Sequence, residues 1–383
     1  MTGLSVNEAS DLPTVTYLSM DPLTSTVGSS QVLSYVERLA LRGVDVNLIT
    51  FEHDPSLVLH RRLLDLGVTW QPQRYGRHGA VGGLSRVLRA AWLVRGAAIV
   101  HARSDMPAAS VMLAGVKHWV WDVRGLWIDQ KVASGVVRSG SPQERVMRWV
   151  ERKAACRSTA VISITASGVD ALDERYRGLV SPKAQVVTTC ADLDRFTSTP
   201  LPLAPVRVLL AGTLNRYYDT PIMLDLVAEL RRRQAVELIV ASPDGTAWED
   251  ELAAVDVVRL SATPAQMADL MSSCHVGLSV CRDDAGASLR AAMPTKIGEL
   301  LASGRPVVVN PGLVDAAELL VRHECGVVFG SSTVLDLEWA VDQLEFLLND
   351  PSTPDRCRSL AESHFDLGAG IDRLIAVYGS LKT

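Results

Sequence analysis

Short apolar runs rich in valine and isoleucine alternate with helical patterns along nearly the whole chain. These runs cover residues 15–19, 46–51, 98–101, 120–123, 160–164 and 184–189 in the first half, and 206–211, 237–241, 257–260, 276–280, 306–310 and 326–329 in the second. Buried strands separated by helices form parallel sheets, because each crossover places a helix over a face of the sheet. The alternation therefore predicts an α/β fold made of two arrays of βα units.

A proline-rich segment separates the two arrays. Residues 197–205 read Thr-Ser-Thr-Pro-Leu-Pro-Leu-Ala-Pro, which cannot continue a helix and favours extended backbone. A chain of 383 residues is also too long for one ordinary core. We therefore predict two Rossmann-like domains, at 1–196 and 206–364, joined by a linker at 197–205. Open α/β sheets bind ligands beyond the carboxyl ends of their strands, so the domains are expected to face each other across a cleft.

Composition excludes several classes of protein. The apolar runs stay well short of the roughly 18 residues of a membrane span, and the N-terminus does not read as a signal sequence. A cytoplasmic location is therefore expected. The six cysteines include no CxxC pair, which argues against a zinc cluster or a disulfide framework.

Positive charge is concentrated in the first half of the chain. Residues 1–200 contain 23 Lys and Arg against 18 Asp and Glu, whereas residues 201–383 contain 15 against 25. Segment 61–95 interleaves seven arginines with Trp70, Tyr75 and Trp92, a pattern that fits either peripheral contact with the inner face of a membrane or an ordinary solvated helix face. Nucleic acid is not an expected partner, because the half is only mildly basic and carries no binding motif.

The run at 294–309 predicts a short helix followed by a buried strand. It reads Pro-Thr-Lys-Ile-Gly-Glu-Leu-Leu-Ala-Ser-Gly-Arg-Pro-Val-Val-Val. Pro294 suits the first helical position and Gly304 the C-terminal end. Met293 would then be the N-cap residue, and its side chain cannot cap.

Two cations lie near the start of this predicted helix. Lys296 is in the first turn and Arg290 lies shortly before it. A cation is unfavourable beside the positive end of a helix, unless an anion lies between it and the free backbone amides. A bound diphosphate would supply that anion. The alternative is an exposed helix start with solvated cations.

The loop after the first strand, residues 20–31, contains Gly28 followed by two serines. Gly28 permits close backbone approach and Ser29 or Ser30 can cap the next helix, so this loop is a candidate for holding a phosphate or a sugar. A tight turn between strand and helix is the alternative for Gly28. The GxGxxG pattern is absent here, so NAD is not an expected cofactor.

Residues 121–130, Trp-Asp-Val-Arg-Gly-Leu-Trp-Ile-Asp-Gln, follow another predicted strand. In this loop Trp127 is a candidate for stacking on a sugar or acceptor, and Arg124 for binding a phosphate or carboxylate. Asp129 is a candidate for orienting an acceptor hydroxyl. The alternative is that the tryptophans are core residues and that Arg124 pairs with Asp122.

Three other loops carry secondary candidates. His101 and Arg103 end an earlier strand, although a histidine beside an apolar strand is usually a satisfied core residue. Gly212 follows the first strand of the second half, and Arg216 lies four residues later. The adjacent aspartates at 283–284 are a poor metal site without further ligands, so a solvated loop and no metal are expected there.

Together these motifs resemble the family-four glycosyltransferases of the GT-B fold. The similarity rests on Gly-Glu-Leu-Leu-Ala-Ser-Gly-Arg-Pro at 298–306, on Gly212, and on Ala-Asp-Leu-Asp-Arg-Phe at 191–196. A narrower similarity, to bacterial polysaccharide and natural-product members, lies in the runs at 28–33, 100–104, 122–129 and 294–296. The resemblance covers nearly the whole chain.

The resemblance implies a retaining glycosyltransferase that needs no metal. The nucleotide diphosphate sugar would be a substrate bound by the second domain, with no separate cofactor. The first domain would bind the acceptor, a hydroxyl of a glycan, lipid-linked or small-molecule natural product. Residues 365–383 would return to the first domain as a helix. Carried over by position, Glu299 would bind the ribose hydroxyls through charge-assisted hydrogen bonds.

Several positions depart from the family pattern. Ala291 replaces the first glutamate of the Glu-x7-Glu motif, which contacts the transferred sugar, and Thr213 and Tyr218 replace a basic pair after the first strand of the second domain. Arg124 stands where a histidine is common. The expected diphosphate clamp is then Arg216, Arg290 and Lys296, with Gly28, Gly212 and Glu299 as further donor contacts. We assign catalytic roles to Arg124, Asp129 and Lys296, and acceptor contacts to His101, Arg103 and Trp127.

Other functions stay open at this point. The departures also fit a non-catalytic partner protein of the GT-B fold. A sugar-nucleotide epimerase would share the fold and would need no second substrate. A dehydrogenase is disfavoured by the missing glycine pattern.

Overall fold

The structure, a computed structural model, describes residues 12–242 and 247–381. Within these residues thirteen strands form two parallel sheets, one of seven strands and one of six. The predicted α/β class with two Rossmann-like sheets is confirmed. Residues 1–11 and 382–383, which the predicted first domain and C-terminal helix include, lie outside the described residues.

The seven-stranded sheet contains the apolar runs of the first half. Its strands are Val15–Leu18 (β1), Val46–Glu52 (β2), Thr69–Arg74 (β3), Ile99–Arg103 (β4), Trp119–Val123 (β5), Ala160–Ser163 (β6) and Ala184–Val186 (β7). Their order across the sheet is β3-β2-β1-β4-β5-β6-β7. The central strand β1 therefore pairs on both sides, with Val15 opposite Val46 and Ile99. The order of strands reverses between β1 and β4, which is where open α/β sheets leave a crevice for ligands.

The six-stranded sheet repeats this plan. Its strands are Val206–Ala211 (β8), Val236–Ala241 (β9), Val258–Leu260 (β10), Val276–Ser279 (β11), Val307–Val309 (β12) and Gly326–Val328 (β13). Their order is β10-β9-β8-β11-β12-β13, with the reversal between β8 and β11. The loops that carry Gly212 and Cys281 therefore flank the switch point of this sheet.

Helices connect the strands. In the first half they are Thr26–Gly28, Ser34–Leu41, Leu57–Asp65, Gly79–Leu93, Asp105–Ala114, Trp127–Ala133, Pro142–Arg157 and Ala166–Tyr176. In the second they are Thr220–Arg233, Glu249–Ala253, Pro264–Ser272, Ala287–Arg290, Thr295–Ala302, Val314–Arg322, Val334–Asn349, Thr353–Leu360 and Leu367–Ser380. Short π-helical segments occupy Ser29–Leu33 and Ala361–Phe365, and single 3₁₀ turns occupy Ser181–Lys183 and Asp283–Ala285.

Strand β3 was absent from the prediction. It reads Thr-Trp-Gln-Pro-Gln-Arg and lies at the edge of its sheet, paired with β2. Proline is tolerated on an edge strand because one side of that strand needs no ladder hydrogen bonds. Trp70 is the one buried residue of this strand. The strand therefore lacks the apolar run that predicted the other strands.

The chain divides into two compact units, each assembled from separate stretches. Within the described residues, the first unit comprises 12–128, Val137–Val187 and 368–381. The second comprises Asp129–Val136 and Thr188–Leu367. Nearly all of the C-terminal helix therefore belongs to the first unit, together with the seven-stranded sheet.

The linker segment is anchored within the second unit by one buried arginine. Arg305 is completely buried and donates to the Thr199 carbonyl at 2.7 Å, to its hydroxyl at 2.6 Å and to the Pro200 carbonyl at 3.2 Å. It also donates to the Ser272 carbonyl at 2.5 Å. Burial lowers the pKa of Arg305 to about 10. These bonds hold the start of the proline-rich segment against the rest of the second unit.

Candidate functional site

The helix predicted at 294–304 is present as Thr295–Ala302. Its start corrects the prediction by one residue, because Pro294 and not Met293 is the N-cap. The extended backbone of Pro294, with ψ 128°, keeps it outside the helix, and Pro294 makes no side-chain cap hydrogen bond. The Met293 carbonyl accepts a hydrogen bond from Thr189 Oγ1 at 2.8 Å, which fixes the approach to the helix.

The end of this helix is closed by glycine geometry. Ser303 is the C-cap residue, and Gly304 follows with φ 78°, a conformation that favours glycine. The Gly304 amide donates to the Leu301 carbonyl at 3.0 Å, and the Arg305 amide donates to the Leu300 carbonyl at 2.9 Å. This pair of bonds is a Schellman motif, so the helix length is set by the sequence at both ends.

Lys296 is a buried cation of the second unit. Its side chain is 9% exposed, and Nζ lies 4.0 Å from the centre of the Tyr218 ring. A Cβ placed on Gly212 would lie 3.7 Å from the same nitrogen, so the loop after β8 and the helix start meet at this point. Among the residues that the structure describes, none forms a hydrogen bond or ion pair with Lys296 Nζ. Burial lowers the pKa of this ammonium to about 8.

Glu299 lies one turn after Lys296 on the same helix. It is half-buried, and burial raises its pKa to about 7, against the opposing effects of Arg195 and Lys296. Arg195 is exposed and lies over the Phe196 ring at 5.0 Å. A carboxylate and an ammonium with pKa values displaced toward each other are typical of functional sites.

The other predicted residues of the second unit lie on separate segments of the chain. Arg216 is exposed on the loop after β8, and Arg290 is half-buried at the end of Ala287–Arg290. Asp129 belongs to this unit and, after burial and Cys281, contributes to raising the pKa of Tyr217. The predicted solvated loop at 283–284 is exposed, although Asp283 also accepts a hydrogen bond from the Asn310 amide at 3.0 Å.

In the first unit, Gly28 allows the chain after β1 to pass close to its own backbone. A Cβ at Gly28 would overlap the carbonyl oxygen of Pro22, so the close approach is made by the chain's own backbone. The cap also differs from the prediction, because Ser25 Oγ accepts from the Gly28 amide at 3.0 Å. Ser29 and Ser30 instead donate to the Thr26 carbonyl, since a residue inside a helix can bond backward but cannot cap.

We expect Gly28→Ala to destabilise the first unit by about 1–3 kcal/mol, since the added methyl group must displace the backbone at Pro22. Thermal unfolding measures the loss. Gly83→Ala is the matched control in the same unit, because its Cβ would lie 3.3 Å from the flexible end of Met106. Equal stability of the two variants would contradict the packing argument.

Two arginines predicted from separate motifs meet at one glutamine. Gln31 Oε1 accepts from Arg103 Nη2 at 2.8 Å and from Arg124 Nη2 at 3.3 Å. Arg103 also pairs with Asp21 and is 4% exposed. The loops after β1, β4 and β5 are therefore tied together at the switch point of this sheet.

Arg124 also forms the pairing that was considered as its alternative role. Its Nη1 lies 3.7 Å from Asp122 Oδ1, and its guanidinium lies 5.5 Å from the Tyr35 ring centre. Although burial raises it, the pKa of Asp122 is held below its usual value by Arg124 and by the hydrogen bond from His101. Trp119 and Trp121 are core residues, whereas Trp127 is half-buried at the start of Trp127–Ala133.

His101 is enclosed on every side within the first unit. Nε2 lies 3.0 Å from Asp122 Oδ2, and Nδ1 lies 2.9 Å from the Tyr378 hydroxyl. The Tyr17 ring stacks on the imidazole with centroids 4.2 Å apart. Both ring nitrogens are therefore bonded within the protein.

Sequence reasoning assigned no role to Arg195, Gln31 or Tyr378. The first two lie in the runs at 191–196 and 28–33 that carried the family resemblance, so a signal for them was present. Tyr378 had no such signal, because it lies 277 residues from its partner His101.

One family model matches the chain. Residues 28–191 match the model described as Glycosyl transferase 4-like domain. This range contains Gln31, His101, Arg103 and Arg124. A search of curated proteins found no significant match.

Solved structures resemble the chain over nearly its full length. A glycosyltransferase from Rickettsia africae ESF-5 has a TM-score of 0.72 at 12% identity, covering 97% of this chain and 99% of that one. Sucrose-phosphate synthase from Thermosynechococcus elongatus has a TM-score of 0.70 at 15% identity, with coverages of 96% and 99%. HepE from Anabaena, solved with UDP and glucose, has a TM-score of 0.66 at 13% identity, with coverages of 95% and 98%. At these identities the likeness establishes the fold.

Proposed function

We propose that this chain, a glycosyltransferase of the GT-B type, moves a glycosyl group from a nucleotide diphosphate sugar to an acceptor hydroxyl with retention of configuration and without a required metal. The observation that carries the proposal is Lys296, a buried ammonium without an ion-pair partner among the described residues, beside Gly212 and an uncapped helix start.

A buried ammonium without a counter-ion is costly, because burial disfavours the charged form. An anion at Lys296 would remove this cost and would also be stabilised by the positive end of the helix dipole. The diphosphate of a nucleotide sugar is such an anion. Gly212 leaves space for the diphosphate next to Lys296 Nζ, because a Cβ at this position would lie 3.7 Å from that nitrogen. Glu299, one turn further on, is suited to accept hydrogen bonds from the ribose hydroxyls of the same molecule.

The mechanism we propose is displacement on one face of the sugar. The bond from the anomeric carbon to the diphosphate breaks, and the acceptor oxygen attacks from the side that the phosphate leaves. The departing phosphate oxygen takes the acceptor proton. Lys296 and the helix-start amides stabilise the charge that develops on the diphosphate, which is the larger part of the protein's contribution. Arg216 and Arg290 are the further cations that we assign to the diphosphate.

The first unit is proposed to bind the acceptor. Trp127, half-buried at a helix start, offers an aromatic face for stacking on a sugar or acceptor. We also propose that Arg124 contacts the transferred sugar and that Asp129, a residue of the second unit, orients the acceptor hydroxyl. Arg103 and His101 hold the surrounding loops, as their buried contacts suggest. The acceptor class we favour is a glycan, lipid-linked or natural-product hydroxyl.

A thermal-shift screen over UDP-, GDP-, dTDP- and CMP-sugars tests donor binding. A donor at about 100 times its Kd should stabilise the protein by about 2.7 kcal/mol. UDP-glucose is the first candidate, because HepE was solved with UDP-glucose. Lys296→Met is the matched control, since it keeps the hydrophobic stem and removes the charge. Absence of any shift, or a shift that survives in Lys296→Met, would contradict the proposal.

Turnover separates the proposed transfer from the other functions. Transfer to an added acceptor, or slow donor hydrolysis, would exclude a non-catalytic partner protein. Interconversion of donor sugars without an acceptor would instead indicate an epimerase. The anomeric configuration of the product, read by NMR, tests retention, and activity in the presence of EDTA tests metal independence.

The pH profile of kcat/KM for the donor is expected to be a narrow bell. Glu299 must be ionised, so activity rises as pH increases through about 7. Lys296 must be protonated, so activity falls as pH increases through about 8. Glu299→Gln should remove the acidic limb and Lys296→Met the alkaline limb. A profile that stays flat across both values would refute the assignment.

We also propose that the enzyme works at the inner face of a membrane in the cytoplasm. Helix Gly79–Leu93 exposes an apolar stripe of Val81, Leu84, Leu88 and Trp92, at positions that recur on one helix face. Residues 66–104 contain arginines but no aspartate or glutamate, so an anionic lipid surface complements this stripe. The contact that we propose is peripheral. Among residues 12–242 and 247–381, every helix is too short or too polar to span a bilayer.

Sedimentation with vesicles tests this surface. The protein should bind vesicles of phosphatidylcholine with phosphatidylglycerol more tightly than phosphatidylcholine alone, and Trp92→Ser should weaken binding about tenfold. Trp339→Ser is the control, because Trp339 is 50% exposed on a helix of the second unit whose neighbouring charges are acidic. Equal binding by both variants would exclude this stripe.

A further inference from the structure

We propose that Tyr378, on the C-terminal helix, is a positioning residue that orients Arg124 through His101 and Asp122. The inference rests on the role proposed above for Arg124, but its geometry lies wholly within the first unit. Tyr378 is 0% exposed, His101 1% and Asp122 2%, so no water competes for their hydrogen bonds.

The three side chains form one continuous chain of hydrogen bonds. The Tyr378 hydroxyl lies 2.9 Å from His101 Nδ1, and His101 Nε2 lies 3.0 Å from Asp122 Oδ2. The other oxygen of the same carboxylate, Oδ1, lies 3.7 Å from Arg124 Nη1. A side chain of the last helix is thereby connected to the loop after β5 in three steps.

The chemistry of the groups favours one direction for the bonds. Burial raises the pKa of Tyr378 well above its usual value, so its hydroxyl keeps its proton and can donate to Nδ1. Nε2 then donates to Asp122. The ionised carboxylate of Asp122 can only accept. A histidine held in this way has one tautomer and one orientation.

Two aromatic rings also restrict the orientation of the imidazole. Tyr17 stacks on it at 4.2 Å with the ring planes 11° apart. The Tyr378 ring meets the edge of the imidazole, with centroids 5.9 Å apart at 80°. With the ring unable to tilt, the carboxylate that it bonds is oriented as well.

Arg124 depends on this carboxylate for its position. Its remaining contacts are a 3.3 Å hydrogen bond to Gln31 Oε1, a side-chain hydrogen bond with Tyr35 and the contact over the Tyr35 ring. Neither Asp122 Oδ1 nor Arg124 Nε has a hydrogen-bond partner in the described part of the chain. A buried pair that is partly unsatisfied moves readily when its support is removed. Loss of the Tyr378 hydroxyl would leave Nδ1 buried without a donor, and the ring, the carboxylate and the arginine would each relax.

Amide hydrogen exchange of the full-length protein tests the proposal without any substrate. In Tyr378→Phe, which keeps the ring and its packing, we expect amides of residues 124–128 to exchange about tenfold faster. The control is Asp372→Asn, which removes the Arg42 ion pair of the same helix, at 2.5 Å, and leaves the hydrogen-bond chain intact. Unchanged exchange at 124–128 in Tyr378→Phe, or equal acceleration in Asp372→Asn, would overturn the proposal.

A double-mutant cycle on UDP-glucose turnover adds a readout that general loosening would not give. If Tyr378 acts through Arg124, Tyr378→Phe slows turnover about tenfold in the wild-type background and adds little to Arg124→Lys. Additive losses would overturn the connection. If Arg124→Lys leaves turnover unchanged, the role proposed for Arg124 fails, while the exchange experiment still decides whether Tyr378 positions the loop.

Discussion

Replacement of Lys296 by alanine is expected to raise the KM for the donor and to lower kcat together, with a combined loss in kcat/KM of about 10²- to 10³-fold. The ammonium is held beside Gly212 and over Tyr218, at the start of Thr295–Ala302. In the function proposed above it would contact both the diphosphate of the donor and the charge that develops as the diphosphate departs. Steady-state kinetics with varied donor concentration measures both constants.

Two variants make this result specific. Lys296→Met retains most of the buried stem, so a loss equal to that of the alanine variant assigns the effect to the charge. Lys117→Ala removes an exposed lysine of the first unit and should leave both constants unchanged. Wild-type values of kcat and KM in Lys296→Ala would contradict the assignment of Lys296 to the diphosphate.

Arg305→Met is expected to lower the free energy of unfolding of the second unit by about 2–4 kcal/mol. Methionine fills much of the space but donates no hydrogen bonds, so the carbonyls of Thr199, Pro200 and Ser272 lose their common donor. Urea denaturation followed by tryptophan fluorescence, analysed as two transitions, measures the change.

An exposed arginine provides the control for this experiment. Arg322→Met removes a solvent-exposed ion pair with Glu318, and pairs of this kind contribute little to stability. Similar unfolding curves for Arg305→Met and Arg322→Met would show that the buried arginine does not anchor the linker segment.

Most of the fold could be predicted because its signals are local. Strands such as β8 and β12 are short apolar runs, and two arrays of them imply two parallel sheets. Strand β3 was missed because an edge strand needs neither an unbroken apolar run nor the absence of proline. The start of Thr295–Ala302 was displaced because the sequence does not state whether a proline occupies the first helical position or the cap.

In the candidate site, too, only contacts between residues close in sequence could be predicted. Lys296 and Glu299 are three residues apart on one helix, so their proximity follows from helical geometry. The meeting of Arg103 and Arg124 at Gln31 depends on three separate strand ends, which only the sheet order brings together. The bond from Tyr378 to His101 depends on the path of the last helix, and no spacing in the sequence encodes it.

The division of the chain into interleaved stretches has a consequence for how the protein is made on the ribosome. Synthesis proceeds from the N-terminus, and domains generally fold as units as they emerge. The second unit has all its parts once Leu367 has emerged, whereas the first unit still lacks the stretch from Gly368 that contains Tyr378. The unit that is begun first is therefore completed last. Until then, His101 Nδ1 lacks its hydrogen bond with Tyr378.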